Sequence, residues 1–154
     1  MTLARLALLV VALPLMGFAF NLVAGRSLKE KTLGGISTFA VGSSFAAAVG
    51  LYLQLLHQSS REIEVHLFTW ISVGAFHVNA NLLVDPLSVT MILFVTGIST
   101  LIHLYSISYM HGERDFRKFF LYLNLFVFSM VILVLAANLL LTFVGWEEIG
   151  RAHV

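Results

Sequence analysis

Two side chains in this sequence place an ionisable group inside an apolar run: Glu147 in "LLLTFVGWE" and His103 in "MILFVTGISTLIHLYSISYM". If a helix begins near Leu139, Glu147 stands eight residues in, roughly 12 Å deep at about 1.5 Å per residue. That is close to the midplane of a hydrocarbon core about 30 Å thick. A charged side chain there costs at least about 2.5–3.5 kcal/mol, so it must face a bundle interior or water. Burial favours the neutral acid, and a nearby cation favours the carboxylate. A group poised between those influences takes up and releases protons. The competing reading is a later helix start, which would leave Glu147 at an interface. His103 could pass a proton between its two ring nitrogens, or serve as a hydrogen-bonded packing residue.

These groups need membrane helices to position them. The chain has 154 residues, 59% hydrophobic and 11% charged, against about 45–50% apolar and about 25% charged in soluble domains. Its net charge of +1 is too small for a nucleic-acid surface, so no nucleic-acid partner is expected. With no cysteine, the chain can neither ligate an iron–sulfur cluster through thiolates nor build disulfides. The six histidines are scattered without zinc-like spacing, so no metal site is expected.

About 20 apolar residues cross a bilayer, and runs of that length predict spans at residues 3–25, 33–56, 87–110 and 119–136. A fifth begins at 139 and is followed to Glu147. The first run is too long for a signal-peptide core and lacks a convincing cleavage site; Pro14 is tolerable within a membrane helix. The second is rich in Gly, Ala and Ser, which let helices approach closely. Asp85 before Pro86 reads as a helix cap followed by proline at the first helical position.

Between the second and third spans the period changes. Ile63, Val65 and Leu67 alternate with Glu62, Glu64 and His66, and Phe76, Val78, Ala80 and Leu82 alternate with His77, Asn79 and Asn81. Two period-2 runs separated by "ISVG" predict a β-hairpin at about residues 61–84, with His66 and His77 on its polar face. The expected fold is therefore an all-α polytopic membrane protein. It has four complete transmembrane helices, the start of a fifth, and an external β-hairpin between helices two and three.

Basic residues in short loops mark the cytoplasmic side. Loop 26–31 carries Arg26, Lys29 and Lys31, and loop 111–118 carries Arg114, Arg117 and Lys118. Both are expected inside. The hairpin segment, with Arg61 against Glu62, Glu64 and Asp85, is expected outside together with the N-terminus, although Arg5 dissents.

From about Leu82 to Glu147 the chain resembles the chain-5 (subunit L) family of proton-pumping NADH–quinone oxidoreductase, respiratory complex I, which is related to multisubunit sodium/proton antiporters. The stretches that carry the resemblance are Asp85 to Ser88, His103 to Met110, "FFLYLNLF" from Phe119 to Phe126, and Asn138 to Glu147. "LPLMGF" near the N-terminus adds weak support. Ala137 departs from the pattern, since many relatives carry Asp there.

The resemblance implies that Glu147 is the fifth-helix glutamate of an antiporter-like proton channel. Its partner lysine would lie on a later helix beyond this chain. It also implies a bacterial plasma (inner) membrane location and other membrane subunits of complex I as partners. The chain itself would hold no cofactor; NADH, flavin, iron–sulfur clusters and quinone would belong to other subunits. On this reading residues 1–147 are the N-terminal part of the subunit, a fragment inactive alone. The final stretch, "EIGRAHV" at 148–154, can be encoded by GAG ATC GGA AGA GCA CAC GTC. From its second base this looks like a sequencing-library adapter, so residues 148–154 are expected to be a non-native tail. The alternatives are a subunit of a related cation/proton antiporter, or a small non-transporting membrane scaffold.

Overall fold

A computed structural model describes residues 2–58, 62–73 and 76–151. The elements run α1 (Leu3–Ala24), α2 (Glu30–Leu56), β1 (Ile63–Val73), β2 (Phe76–Val84), α3 (Pro86–Tyr109), α4 (Phe116–Leu135) and α5 (Leu139–Arg151). The first four helices are long and apolar enough to cross a membrane. Each predicted span is thus a helix, and the hairpin lies between the second and third.

Each helix buries one stripe and leaves the rest of its apolar surface outward. In α1 the stripe is Leu3, Leu6, Ala7, Val10, Pro14, Gly17 and Asn21, the three-and-four spacing of one helical face. Large apolar side chains such as Val23, Phe39 and Leu101 are exposed on the outside. A soluble helix would carry charge at such positions; in lipid there is no reason to. Close approach comes from small residues. A Cβ on Gly34 of α2 would lie 2.8 Å from Ile107 of α3, and Ser44 donates across to the Val10 carbonyl at 2.7 Å. Pro14 sits buried within an α1 that continues unbroken past it.

The helices reach beyond the apolar runs. α2 begins at Glu30 and α4 at Phe116, each three residues before the predicted span, because charged residues can wind the first turn outside hydrocarbon. At that end Glu30 ties the two loops together. Its carboxylate accepts from His111 Nδ1 at 2.9 Å and from the Gly112 amide at 3.1 Å. Gly112 sits at φ +83°, where the missing Cβ matters. The two basic loops therefore share one end of the bundle and the hairpin occupies the other.

The hairpin is antiparallel from Ile63↔Val84 to Val73↔Phe76, with register shifts after His66 and after Thr69. The expectation that "ISVG" separates the strands needs correction, because Ile71, Ser72 and Val73 continue β1; Gly74 lies outside the described residues. Phe68 and Trp70 keep the parity of Glu64 and His66 and are likewise exposed. The inward face of the hairpin carries Val65, Ala80, Leu82 and Val84, all buried. On the outer face Asn81 donates to Glu64 at 2.6 Å and its side-chain oxygen meets His66 at 2.8 Å.

Asp85 caps α3 as the sequence predicts. Its carboxylate accepts from the Ser88 amide at 2.7 Å, Ser88 Oγ reaches back to the Asp85 amide at 3.0 Å, and Pro86 opens the helix. Asp85→Ala removes this reciprocal cap and should cost about 1 kcal/mol, lowering Tm by about 2–4 °C for a chain of this size. A thermal melt of the detergent-solubilised chain measures it.

Candidate functional site

The two ionisable candidates belong to different parts of the bundle. α3 runs from the hairpin end to the loop end, and His103 lies 17 residues along it, about 26 Å at 1.5 Å per residue. α5 starts at the hairpin end, and Glu147 lies eight residues along it, about 12 Å from that start. Measured along the helices from the hairpin end, their positions differ by about 14 Å, and α5 packs against α4. The structure does not bring them together.

His103 is fully buried between α3 and α4. Its ring meets Phe120 edge-on, with centroids 5.9 Å apart. Nδ1 lies 2.8 Å from the Ser99 carbonyl one turn back, which assigns the proton to Nδ1, since a carbonyl can only accept. Nε2 is then an acceptor, and it is buried without a partner among the described residues.

Around this level the bundle holds polar groups that were not singled out in the sequence. Asn21 of α1 donates to Ser37 of α2 at 2.7 Å, and Ser37 donates on to the Leu33 carbonyl at 2.9 Å. Asn124 of α4, one turn after Phe120, donates to the Phe120 carbonyl at 2.9 Å. It lies so close to α1 that a Cβ on Gly17 would come within 2.5 Å of its Oδ1. The Oδ1 atoms of Asn21 and Asn124 are buried without partners among the described residues. The loop-end half of the bundle therefore holds buried polar groups from each of α1 to α4, beside the apolar cluster of Leu33, Phe116 and Phe120.

These surroundings set what a histidine substitution should do. His103→Leu removes one hydrogen bond, worth about 1 kcal/mol, together with an unpaired buried acceptor costing about 1–3 kcal/mol. Stability should be unchanged or slightly higher, as a Tm measurement in detergent would show. A large fall in Tm would mean that Nε2 has a partner after all.

Glu147 has a different setting. In α5, Leu141 and Gly145 are buried, and α5 meets α4 where a Cβ on Gly145 would lie 2.8 Å from the Leu133 amide nitrogen. Two residues on, at about 100° per residue, Glu147 is turned away from α4 and is exposed. It shares that outward side with Leu139, Phe143 and Trp146, also exposed. The start of α5 is fixed by Asn138, whose side-chain oxygen accepts from the Leu141 amide at 2.9 Å. Beside it, Glu64, His77, Asn79, Asn81, Ala137 and Asn138 line a cleft of about 380 Å³. Ala137 donates its amide to the Asn81 carbonyl at 3.0 Å.

The family model described as "NADH-Ubiquinone oxidoreductase (complex I), chain 5 N-terminus" matches residues 70–120, which take in β2, the Asp85 cap and all of α3. NADH-quinone oxidoreductase subunit L of Escherichia coli (strain K12) is 39% identical over 142 residues, 92% of this chain and 23% of that protein. The chain is similar over most of its length to complex I subunit L and chain 5 proteins. Subunit L of Mycobacterium tuberculosis (strain CDC 1551 / Oshkosh) is 40% identical over 148 residues, covering 94% of this chain and 23% of its own length. The NADH-ubiquinone oxidoreductase chain 5 of Allomyces macrogynus is 38% identical over 144 residues, covering 93% and 22%. The chain thus spans 23% of the length of the first two relatives. The residues matched by that family model include His103, while Glu147 lies beyond residue 120.

Proposed function

We propose that this chain is part of a membrane subunit of NADH–quinone oxidoreductase and contributes to redox-driven proton translocation. Its likeness to relatives named subunit L or chain 5, over 92–94% of its residues, carries this reading. Glu147 is the protonatable group of the pathway, and His103 a second, separate polar site within the bundle. A carboxylate about 12 Å along a membrane helix cannot face lipid without a cost of several kcal/mol. The exposed side of α5 is therefore covered by further membrane helices or by water in the assembled enzyme.

On this reading the partners are other membrane subunits of complex I and the lipid bilayer, in the bacterial plasma membrane. The N-terminus and hairpin face outward. Loops 26–31 and 111–118, which between them carry six Lys and Arg residues, face the cytoplasm by the positive-inside rule. Electron transfer belongs to other subunits, which hold the flavin and iron–sulfur clusters and act on NADH and quinone. The lack of cysteine in this chain agrees with that division of labour, since iron–sulfur ligation uses thiolates.

The test is NADH-driven acidification of inverted membrane vesicles from cells in which the segment encoding this chain is deleted. Acidification should disappear and return with the gene. If NADH-driven acidification persists while sodium/proton exchange is lost, the chain serves a cation/proton antiporter. If neither changes, it is a membrane scaffold.

A further inference from the structure

One edge of β2 pairs with β1. The other holds the three residues that separate α4 from α5. Leu82 and Ala136 form an antiparallel bridge, the Ala137 amide donates to the Asn81 carbonyl at 3.0 Å, and Asn138 Nδ2 donates to the Asn79 carbonyl at 2.7 Å. The carbonyls of residues 79 and 81 project to the same edge because a strand repeats every two residues. The linker thus acts as a short third strand, closing an edge that would otherwise carry unpaired groups.

Asn138 stands at the junction and uses both ends of its amide. Nδ2 grips the hairpin, while Oδ1 accepts from the Leu141 amide at 2.9 Å and its own carbonyl accepts from the Thr142 amide at 3.0 Å. This is an N-cap whose side chain is also bonded to another element. Aspartate could cap equally well, but an ionised carboxylate has no hydrogen to give the Asn79 carbonyl. Serine could cap too, but its single hydroxyl is too short to reach both partners.

We propose that Asn138 is a positioning residue that fixes the start of α5 against the hairpin and thereby sets the depth and facing of Glu147. The proposal rests on the reading of Glu147 as the protonatable group. Glu147 follows Asn138 by nine residues, about 13 Å along the axis and two and a half turns around it. If the helix start slips by one residue, the carboxylate moves by about 1.5 Å and turns by about 100°. Displacements of that size can cost about a hundredfold in a proton- or group-transfer step. The hairpin, 59 residues upstream in its contact with Asn138, is then the depth gauge of the fifth helix.

The experiment compares Asn138→Ala, Asn138→Asp and the native residue in membranes holding the assembled complex. A nitroxide is attached through Glu147→Cys, and its depth is read by electron paramagnetic resonance with oxygen and a water-soluble nickel chelate as relaxers. In parallel, with Glu147 intact, proton translocation per NADH oxidised is measured. The aspartate variant keeps the cap and removes only the tie, so it guards against a result that merely reports unfolding. Expected are a depth shift of about 1.5 Å or more in both variants and a fall in translocation per NADH of about tenfold or more. An unmoved label in both variants overturns the proposal. So does a moved label with normal translocation, where Glu147→Gln still abolishes pumping. Normal pumping in Glu147→Gln instead defeats the reading of Glu147, and the depth measurement then still decides whether Asn138 positions α5.

Discussion

Gly145→Leu should detach α5 from α4 and destabilise the chain by about 3 kcal/mol or more. A Cβ at position 145 would lie 2.8 Å from the Leu133 nitrogen, 3.0 Å from its Cα and 3.0 Å from the Ser129 carbonyl oxygen. All three are backbone atoms of a neighbouring helix, so no side chain can rotate away. Relief requires the two helix axes to separate, and overpacking of this kind costs about 1–3 kcal/mol even for small additions. Alanine gives a graded version of the same effect. It gains about 0.8–1.0 kcal/mol of helix propensity over glycine, which offsets part of the clash, so a net loss of about 1 kcal/mol is expected. Gly35 in α2 supplies the contrast, because a Cβ there meets nothing within 4 Å. Gly35→Ala should therefore be stabilising by roughly the propensity difference alone, about 1 kcal/mol. Thermal unfolding in detergent should rank the chains Gly35→Ala above native, then Gly145→Ala, then Gly145→Leu. Equal stability of Gly145→Leu and native would mean that α5 does not rest on α4 at this glycine.

The close contact at Gly145 also shows what a sequence can and cannot say. That the fifth helix begins near Leu139 was legible from its apolar run, and α5 starts there. The four long helices were legible from length and composition, and Asp85 with Pro86 announced its cap. The helix starts at Glu30 and Phe116 were missed because the apolar run marks where hydrocarbon begins, whereas backbone hydrogen bonds continue beyond it. The hairpin was visible in its alternation, but β1 runs on through Ile71, Ser72 and Val73, where an apolar–polar–apolar triplet reads as strand or connection alike.

The buried polar groups were hidden for another reason. Asn21 lies in "GFAFN" and Asn124 in "FFLYLNLFVF", stretches that read as lipid-facing or packing surface. A single amide in such a run has no periodic signature. Its meaning comes from partners on other helices: Ser37 sixteen residues on, and Gly17 more than a hundred residues before Asn124. Asn138 belonged only to a stretch that carries the resemblance. Nothing local could reveal that its second amide atom holds the Asn79 carbonyl. Glu147 was the converse case: its residue type and its place along α5 were legible, while the direction it faces required α5 to be seated on α4.

Glu147→Gln should leave assembly intact and lower NADH-driven proton translocation by at least about tenfold. Glutamine matches glutamate in shape and keeps a polar tip, so helix packing has little reason to change. The side chain is exposed on α5, and neither of the ion pairs found among the described residues includes it. Among the described residues, no ion pair is therefore lost with its charge. Stability, if it moves, should rise slightly, because a neutral amide is cheaper than a carboxylate at membrane depth. What glutamine cannot do is bind and release a proton. A positioned acid–base group typically contributes about 10²–10⁴-fold to a proton transfer, so even partial bypass through water leaves a deficit of an order of magnitude or more. Glu147→Asp keeps the acid but withdraws it by one methylene, about 1.5 Å, and should fall between the two. The measurement is acidification of vesicles bearing the assembled complex, normalised to NADH oxidation and to the amount of complex recovered intact. A loss of translocation with intact complex identifies the carboxyl group as part of the proton path. A loss of the complex itself would assign Glu147 to assembly, where its carboxylate would hold a neighbouring subunit. Normal translocation would remove it from the path, and the buried polar groups around His103 would become the site to test next.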